Sequence, residues 1–182
     1  EEKFINRYNY LIEYQNKKYA DKYKDLVDYV KLQENKIKID LKNLTNAVAI
    51  NYFKLMAYKD EYEVARLYVN NDFINKINET FEGDFKINFH LAPIFFNKKD
   101  KLSGRPLKKK FGPWIIYFFK FLSNFKFLRG TFLDPFGYFD ERKIERSLIT
   151  NYEKKILEIC SKLSKKNYSL AVNPREIQDN DC

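Results

Sequence analysis

Residues 111–139 read FGPWIIYFFKFLSNFKFLRGTFLDPFGYF, and this stretch decides the fold. Twelve of its twenty-nine positions are aromatic, including Trp114, the chain's one tryptophan. A buried aromatic side chain removes roughly 150–250 Å² from water, so such a stretch dominates any core it joins. Its unbroken apolar run, Pro113 to Phe119, is seven residues long and stops at Lys120. A membrane-spanning helix needs about 20 apolar residues, which excludes a span here. The expectation is a buried helix with Trp114 in the core, where truncation to alanine would cost about 3–5 kcal/mol. Pro113 suits the first helical turn, Lys126 and Arg129 suit the C-terminal end, and Gly130 ends the helix. Asp134-Pro135-Phe136-Gly137 follows as a turn, Pro fixing φ and Gly permitting a positive value.

On both sides of this segment the pattern is helical. Residues 3–34 carry Phe4, Tyr8, Leu11 and Ile12, then Tyr19, Tyr23, Leu26, Val27 and Val30, with charges on the other face. No breaker interrupts them, so they are expected to project as an arm (1–36) or to fold as an antiparallel helical hairpin. The alternation of Lys and Ile over 35–43 gives no clear element. From Leu44 a stripe of Val48, Tyr52 and Leu55 marks a helix; Val64, Leu67 and Tyr68 mark a second. A third carries Phe73, Ile74, Ile77 and Phe81, capped by Asn71 or Asp72 and closed by Gly83. The period then becomes two: Phe85, Ile87 and Phe89 alternate with Lys86, Asn88 and His90, which predicts a strand. After a polar loop, 107–111 can return as its hairpin partner. Asp140 is placed to cap a long helix with Ile144, Leu148, Tyr152, Ile156 and Ile159 on its apolar face. The fold class is therefore mainly α with one small antiparallel β-hairpin (α+β). One domain over 1–172 is expected, with the arm at 1–36, the core at 44–172 and a polar tail at 173–182.

Composition sets outer bounds. The 182 residues suffice for a real core, and 45% are hydrophobic. Five Gly and five Pro argue against disorder and against a turn-dense all-β fold. Cys160 and Cys182 are too far apart for a CxxC motif, which favours a reducing, cytoplasmic setting over a disulfide framework. The 34 basic residues outweigh 25 acidic ones, giving +9, a charge that attracts polyanions or acidic proteins. The chain starts at Glu1 without methionine and reads as a piece of a longer protein.

Four strings, NYFKLMAYKDEYEVARLY (51–68), FEGDFKINFHLAP (81–93), SGRPLKKKFGPW (103–114) and LRGTFLDPFGYFDERKIER (128–146), carry a resemblance. Taken in order, they resemble the C-terminal domain of indolepyruvate ferredoxin oxidoreductases, in the 2-oxoacid:ferredoxin oxidoreductase family. The segment NRYNYLIEYQNKKYADKYKDLVDYV (6–30) resembles the start of that domain, so the likeness spans about residues 4–172. The tail departs from the family, which usually continues further. The resemblance implies a parent enzyme that uses thiamine diphosphate, Mg²⁺ and [4Fe–4S] clusters. That enzyme decarboxylates an aryl pyruvate oxidatively to an acyl-CoA and reduces ferredoxin. The 182 residues hold no GDG-type diphosphate motif, no four-cysteine set and no phosphate-binding glycine pattern. The segment itself is thus expected to be an accessory domain, structural or assembly-related and non-catalytic, with neither catalytic nor cofactor-binding nor metal-binding residues. The parent's catalytic domains are its implied partners.

Three features carry candidate chemistry. His90, the one histidine, could move a proton near neutral pH, or be a plain surface residue on the polar phase of its strand. Asp60, Glu61 and Glu63 with Arg66 offer paired carboxylates, but equally a helix cap with an i, i+3 surface pair, or a contact to the rest of the enzyme. The loop 98–110 concentrates Lys98, Lys99, Lys101, Arg105, Lys108, Lys109 and Lys110 around one acid, Asp100. It is a candidate for docking ferredoxin or a CoA phosphate, or else a solvated loop; the lack of interleaved aromatics disfavours nucleic acid. The alternative to the accessory-domain reading is an independent basic module that docks an acidic partner, ferredoxin or nucleic acid. Cys160 falls near the apolar phase of the last helix and is expected to pack as a small hydrophobe.

Overall fold

Asn16 marks the first place where the chain chooses between one long helix and two. Its side chain accepts a hydrogen bond from Tyr19 N at 2.9 Å, so a new helix starts there, and of the two expected arrangements the helical hairpin forms. In the computed structural model, which describes residues 1–38, 42–83, 85–92 and 107–172, α1 is Glu2–Tyr14 and α2 is Lys17–Lys36. They form an antiparallel hairpin: Phe4 stacks on Tyr23, Tyr8 bonds Asp21 at 2.6 Å, and Tyr14 stacks on Tyr19. This is not a projecting arm. Leu11, Tyr14, Tyr23, Val27 and Val30 are buried, because the stripe that looked spare has helices of its own unit to cover it.

The remaining elements are α3 (Asn43–Met56), α4 (Glu61–Val69), α5 (Asn71–Thr80), β1 (Phe89–Leu91), β2 (Lys109–Phe111), α6 (Ile115–Ser123), a 3₁₀ turn at Lys126–Leu128, α7 (Asp140–Ser161) and α8 (Tyr168–Val172). The class is mainly α with one small antiparallel hairpin, as the sequence indicates. In that hairpin Phe89 faces Phe111, His90 faces Lys110 and Leu91 faces Lys109. Among the described residues, no helix is long and apolar enough to cross a membrane.

The chain divides into two compact units: Glu1–Tyr58 with Lys143–Cys182, and Lys59–Arg142. In the first unit the core runs from the α1–α2 hairpin through α3 to α7 and α8. On α3 the buried line is Leu44, Val48, Tyr52 and Met56, close to the stripe predicted. On α7 the buried line is Ile149, Ile156 and Cys160, whereas Ile144 and Leu148 are exposed. Of the expected face, Tyr152, Ile156 and Ile159 do pack on the core, and only its first two members, Ile144 and Leu148, lie outside it.

Glu34 locks this unit. It is buried at the end of α2, and its carboxylate accepts Leu44 N at 3.0 Å and Thr45 N at 3.1 Å. The Thr45 and Tyr168 hydroxyls also donate to it. The residue preceding α3, Lys42, supplies no side-chain cap, so Glu34 caps α3 from a different helix.

The second unit has an aromatic core. Tyr68 stacks on Phe119 at 5.4 Å, and Phe89 sets its edge against both rings at 5.1 and 5.8 Å. Ile115, Phe119 and Leu122 form the buried stripe of α6. The other stripe of the same helix is open. Trp114 is 60% exposed and Tyr117 76% exposed, so the expectation that Trp114 lies in the core is wrong. A helix apolar on both sides satisfies its own unit with one of them. Gly130 takes φ +75, but α6 already stops at Ser123, so Gly130 follows the 3₁₀ turn at Lys126–Leu128 and does not end the helix as expected. The 134–137 turn forms, with Gly137 N bonded to Asp134 O at 3.1 Å, and it needs no positive φ at Gly137.

Candidate functional site

The charged residues of 60–66 and 129–134 converge inside the second unit. Asp60 precedes α4 and caps it, its Oδ1 accepting Glu63 N at 2.8 Å. The same carboxylate takes a two-pronged grip from Arg129, with Nη2 to Oδ1 at 2.8 Å and Nε to Oδ2. Both residues are buried. The guanidinium carbon lies 5.6 Å from the Tyr62 ring centroid, adding a cation–π contact. Tyr62 OH donates to Asp134 Oδ1 at 3.2 Å. Asp134 also accepts Gly130 N at 2.9 Å and Phe136 N at 3.1 Å, which shapes the loop holding Arg129. Glu63, fully buried, is forked by Arg66 through two 2.8 Å bonds. Glu61 receives a second fork, from Arg142, at 3.3 Å on each arm.

Electrostatics follow from burial. Tyr62 is held well above the usual phenol range by burial and then by the Asp134 carboxylate. The Glu61 carboxyl is raised because burial outweighs the attraction of Arg142. Four carboxylates (Asp60, Glu61, Glu63 and Asp134) face three guanidiniums (Arg66, Arg129 and Arg142), and each carboxylate is taken by a guanidinium, a phenol or backbone amides. A general acid or base needs a proton-bearing atom turned toward substrate. Here the carboxylates turn toward each other's partners, and the arrangement acts as a fastening.

The sequence anticipated part of this. Asp60 does cap α4 and Glu63 does pair with Arg66 at i, i+3, but the pair is buried rather than on the surface. Arg129, expected as a helix-end cation, instead grips Asp60, and Asp134, besides forming its turn, accepts from Tyr62. The available signal was that both strings, 51–68 and 128–146, hold charges amid apolar neighbours.

The profile of a family described as a family of unknown function, DUF6537, matches residues 1–179. The chain belongs to that family. No curated protein and no solved structure matches it. In this DUF6537 member the remaining candidates fall as follows. His90 is exposed on β1 opposite Lys110. No group of His, Cys, Asp and Glu suited to a metal ion occurs among the described residues. Lys108, Lys109 and Lys110 are exposed on and beside β2. Lys98, Lys99, Lys101 and Arg105 lie outside the described residues. Cys160 is buried as a small hydrophobe, its thiol pushed up to about 11, first by burial and then by the charge of Glu34.

The sequence missed the outer aromatic face of the second unit altogether. Trp114, Tyr117, Phe118 and Phe121 follow one another at helical spacing on the exposed side of α6. Phe121 then meets Phe125 at 4.7 Å, and Phe125 meets Phe127 at 6.0 Å, so the rings run on past the helix. Further along, the exposed Tyr138 donates its OH to the backbone carbonyl of Phe132, itself exposed, at 2.5 Å.

Proposed function

We propose that this chain is a non-catalytic accessory domain of a 2-oxoacid:ferredoxin oxidoreductase of the indolepyruvate type, working in the cytoplasm. In this reading thiamine diphosphate, Mg²⁺ and the [4Fe–4S] clusters belong to the parent's other domains. The parent performs the thiamine-dependent oxidation of an aryl pyruvate to an acyl-CoA with reduction of ferredoxin, and this domain helps hold its parts together. One observation carries the non-catalytic role. The strings that resemble that family's domain supply the interlocked carboxylates and guanidiniums of 60–66, 129 and 134, all engaged with one another. Residues spent on holding a loop to a helix serve architecture.

The test is to delete the 182 residues from the polypeptide that carries them and assay viologen reduction by an aryl pyruvate with CoA. The deletion is expected to impair assembly or yield while cluster content per folded protein is kept. The chain by itself is expected to bind neither thiamine diphosphate nor iron. Stoichiometric iron and sulfide on the isolated chain would refute the reading, and so would a coding sequence upstream of Glu1 without thiamine- and cluster-binding motifs.

A second reading, an independent module for an acidic partner, is favoured by one feature. From Lys101 to Leu133 the sequence contains no Asp or Glu, and Lys108–Lys110 stand exposed within that stretch. A start codon close to Glu1 would select it.

A further inference from the structure

We infer that the outer face of α6, continued through Phe127, Phe132 and Tyr138, is a docking surface for a protein patch that is apolar at its centre and acidic at its rim. The inference stands on the exposed face itself and rests on the accessory-domain reading only for which polypeptide supplies that patch.

Area comes first. Eight large apolar side chains between Trp114 and Tyr138 are roughly half to four-fifths exposed, with Phe132 at 81%. At about 150–250 Å² per aromatic residue, they offer on the order of 1,000 Å². A standard interface takes about 800 Å² from each partner. Scattered exposed apolar residues are ordinary, but Trp114, Tyr117, Phe118 and Phe121 are joined by helical spacing, and Phe121, Phe125 and Phe127 by ring contacts. Its composition, Trp, Tyr and Phe, is that of the buried centre of protein interfaces.

Charge then selects the occupant. Exposed Lys120 sits within α6, and Lys108, Lys109 and Lys110 stand just before Trp114. The sequence from Lys101 to Leu133 holds no Asp or Glu. A second copy of this chain would bring these lysines against their equals in a molecule of net charge +9, so self-association is opposed. An acidic rim on the partner reverses that sign. Phosphate recognition favours arginine forks, and the guanidiniums of Arg129 and Arg142 are already engaged with Asp60 and Glu61. Phe121, Phe125 and Phe127 also pack on one another where a single strand would need them open for stacking. A protein surface fits best.

The test places the photo-crosslinker p-benzoylphenylalanine at position 117 in the full-length polypeptide, with position 5, on α1, as control. Irradiation is expected to join position 117, and not position 5, to a peptide with apolar residues flanked by Asp and Glu. Tyr117→Glu with Phe121→Glu should lower the yield from a crosslinker at 118 at least tenfold. Should that pair disturb folding, Lys108→Glu with Lys110→Glu serves instead, and raising salt to about 1 M should mimic it as the Debye length falls to about 3 Å. A crosslink into the parent's catalytic domains supports both readings. A crosslink into an acidic patch of a separate, identified polypeptide, reproduced with that protein purified, supports the docking surface and removes the accessory-domain reading. Crosslinking to a basic patch or to a second copy overturns the inference. So does absence of any protein crosslink, with or without co-flotation on phosphatidylserine vesicles or retention of an oligothymidine strand.

Discussion

Replacing Arg129 with methionine tests the fastening of the second unit most directly. Arg129 and Asp60 are each less than 5% exposed and share two N–H···O bonds across 69 residues of sequence. Removing the guanidinium leaves the Asp60 carboxylate buried with only the Glu63 amide to satisfy it. Breaking one side of a buried pair costs about 3–5 kcal/mol. That is a third or more of the roughly 5–15 kcal/mol that holds a typical domain. Asp60→Asn keeps a competent helix cap but takes the charge partner from a buried guanidinium, so its cost should be of the same order. The double variant removes both charges and should cost less than the sum of the singles by about 2–3 kcal/mol, near the upper end of coupling between contacting residues. Urea titration followed by Trp114 emission reads this unit, because Trp114 is the one tryptophan and lies 6.1 Å from the Phe111 ring. A single-variant loss below about 0.5 kcal/mol, the range of ordinary surface changes, would show that the pair does not hold the unit. Strictly additive losses would show that the two residues are not coupled.

Other outcomes follow from burial and exposure. Trp114→Ala should cost less than about 1 kcal/mol, as for surface positions, and a loss of about 3–5 kcal/mol would return the ring to the core. In a Cys182→Ser background, Cys160 should react with Ellman's reagent at pH 8 at least about 100-fold more slowly in the native state than in urea. Burial keeps it a thiol, and equal rates would refute this. Burial raises Tyr52 above the usual phenol range, with Glu153 adding to it, and burial pushes Tyr152 up to about 12. Unfolded phenols ionise near pH 10 while these two keep their protons, so the stability they give is intact below about pH 10 and is lost as pH rises toward and through 12. The urea midpoint followed by circular dichroism should therefore be steady from pH 7 to 9 and fall beyond 10, and a flat profile through pH 12 would count against the burial of both rings. Neutralising Lys108, Lys109 and Lys110 in the parent enzyme should slow association with ferredoxin most at low salt and leave turnover at saturation near wild type; unchanged efficiency at low salt would make β2 an ordinary solvated edge.

By itself, the sequence determined what short-range periodicity can encode. The helical spacing of Leu44, Val48 and Tyr52 sufficed for α3, and the two-residue alternation of 85–90 sufficed for a hairpin and the class of the fold, although β1 covers only Phe89–Leu91. The left-handed φ of Gly130 was legible for the same reason, since local backbone conformation decides it, whereas the end of α6 at Ser123 was not. Tertiary structure alone decided which apolar face of α6 is covered, because Phe119 and Phe121 are equally hydrophobic and differ only in having Tyr68 and Phe89 beside one of them. It also decided that Asp60 and Arg129 meet and that Glu34 caps a helix it does not belong to. A charge in sequence carries no mark of its partner. Burial makes these charges cost several kcal/mol when alone and makes them a lock when paired, and burial is a property of the assembled neighbours.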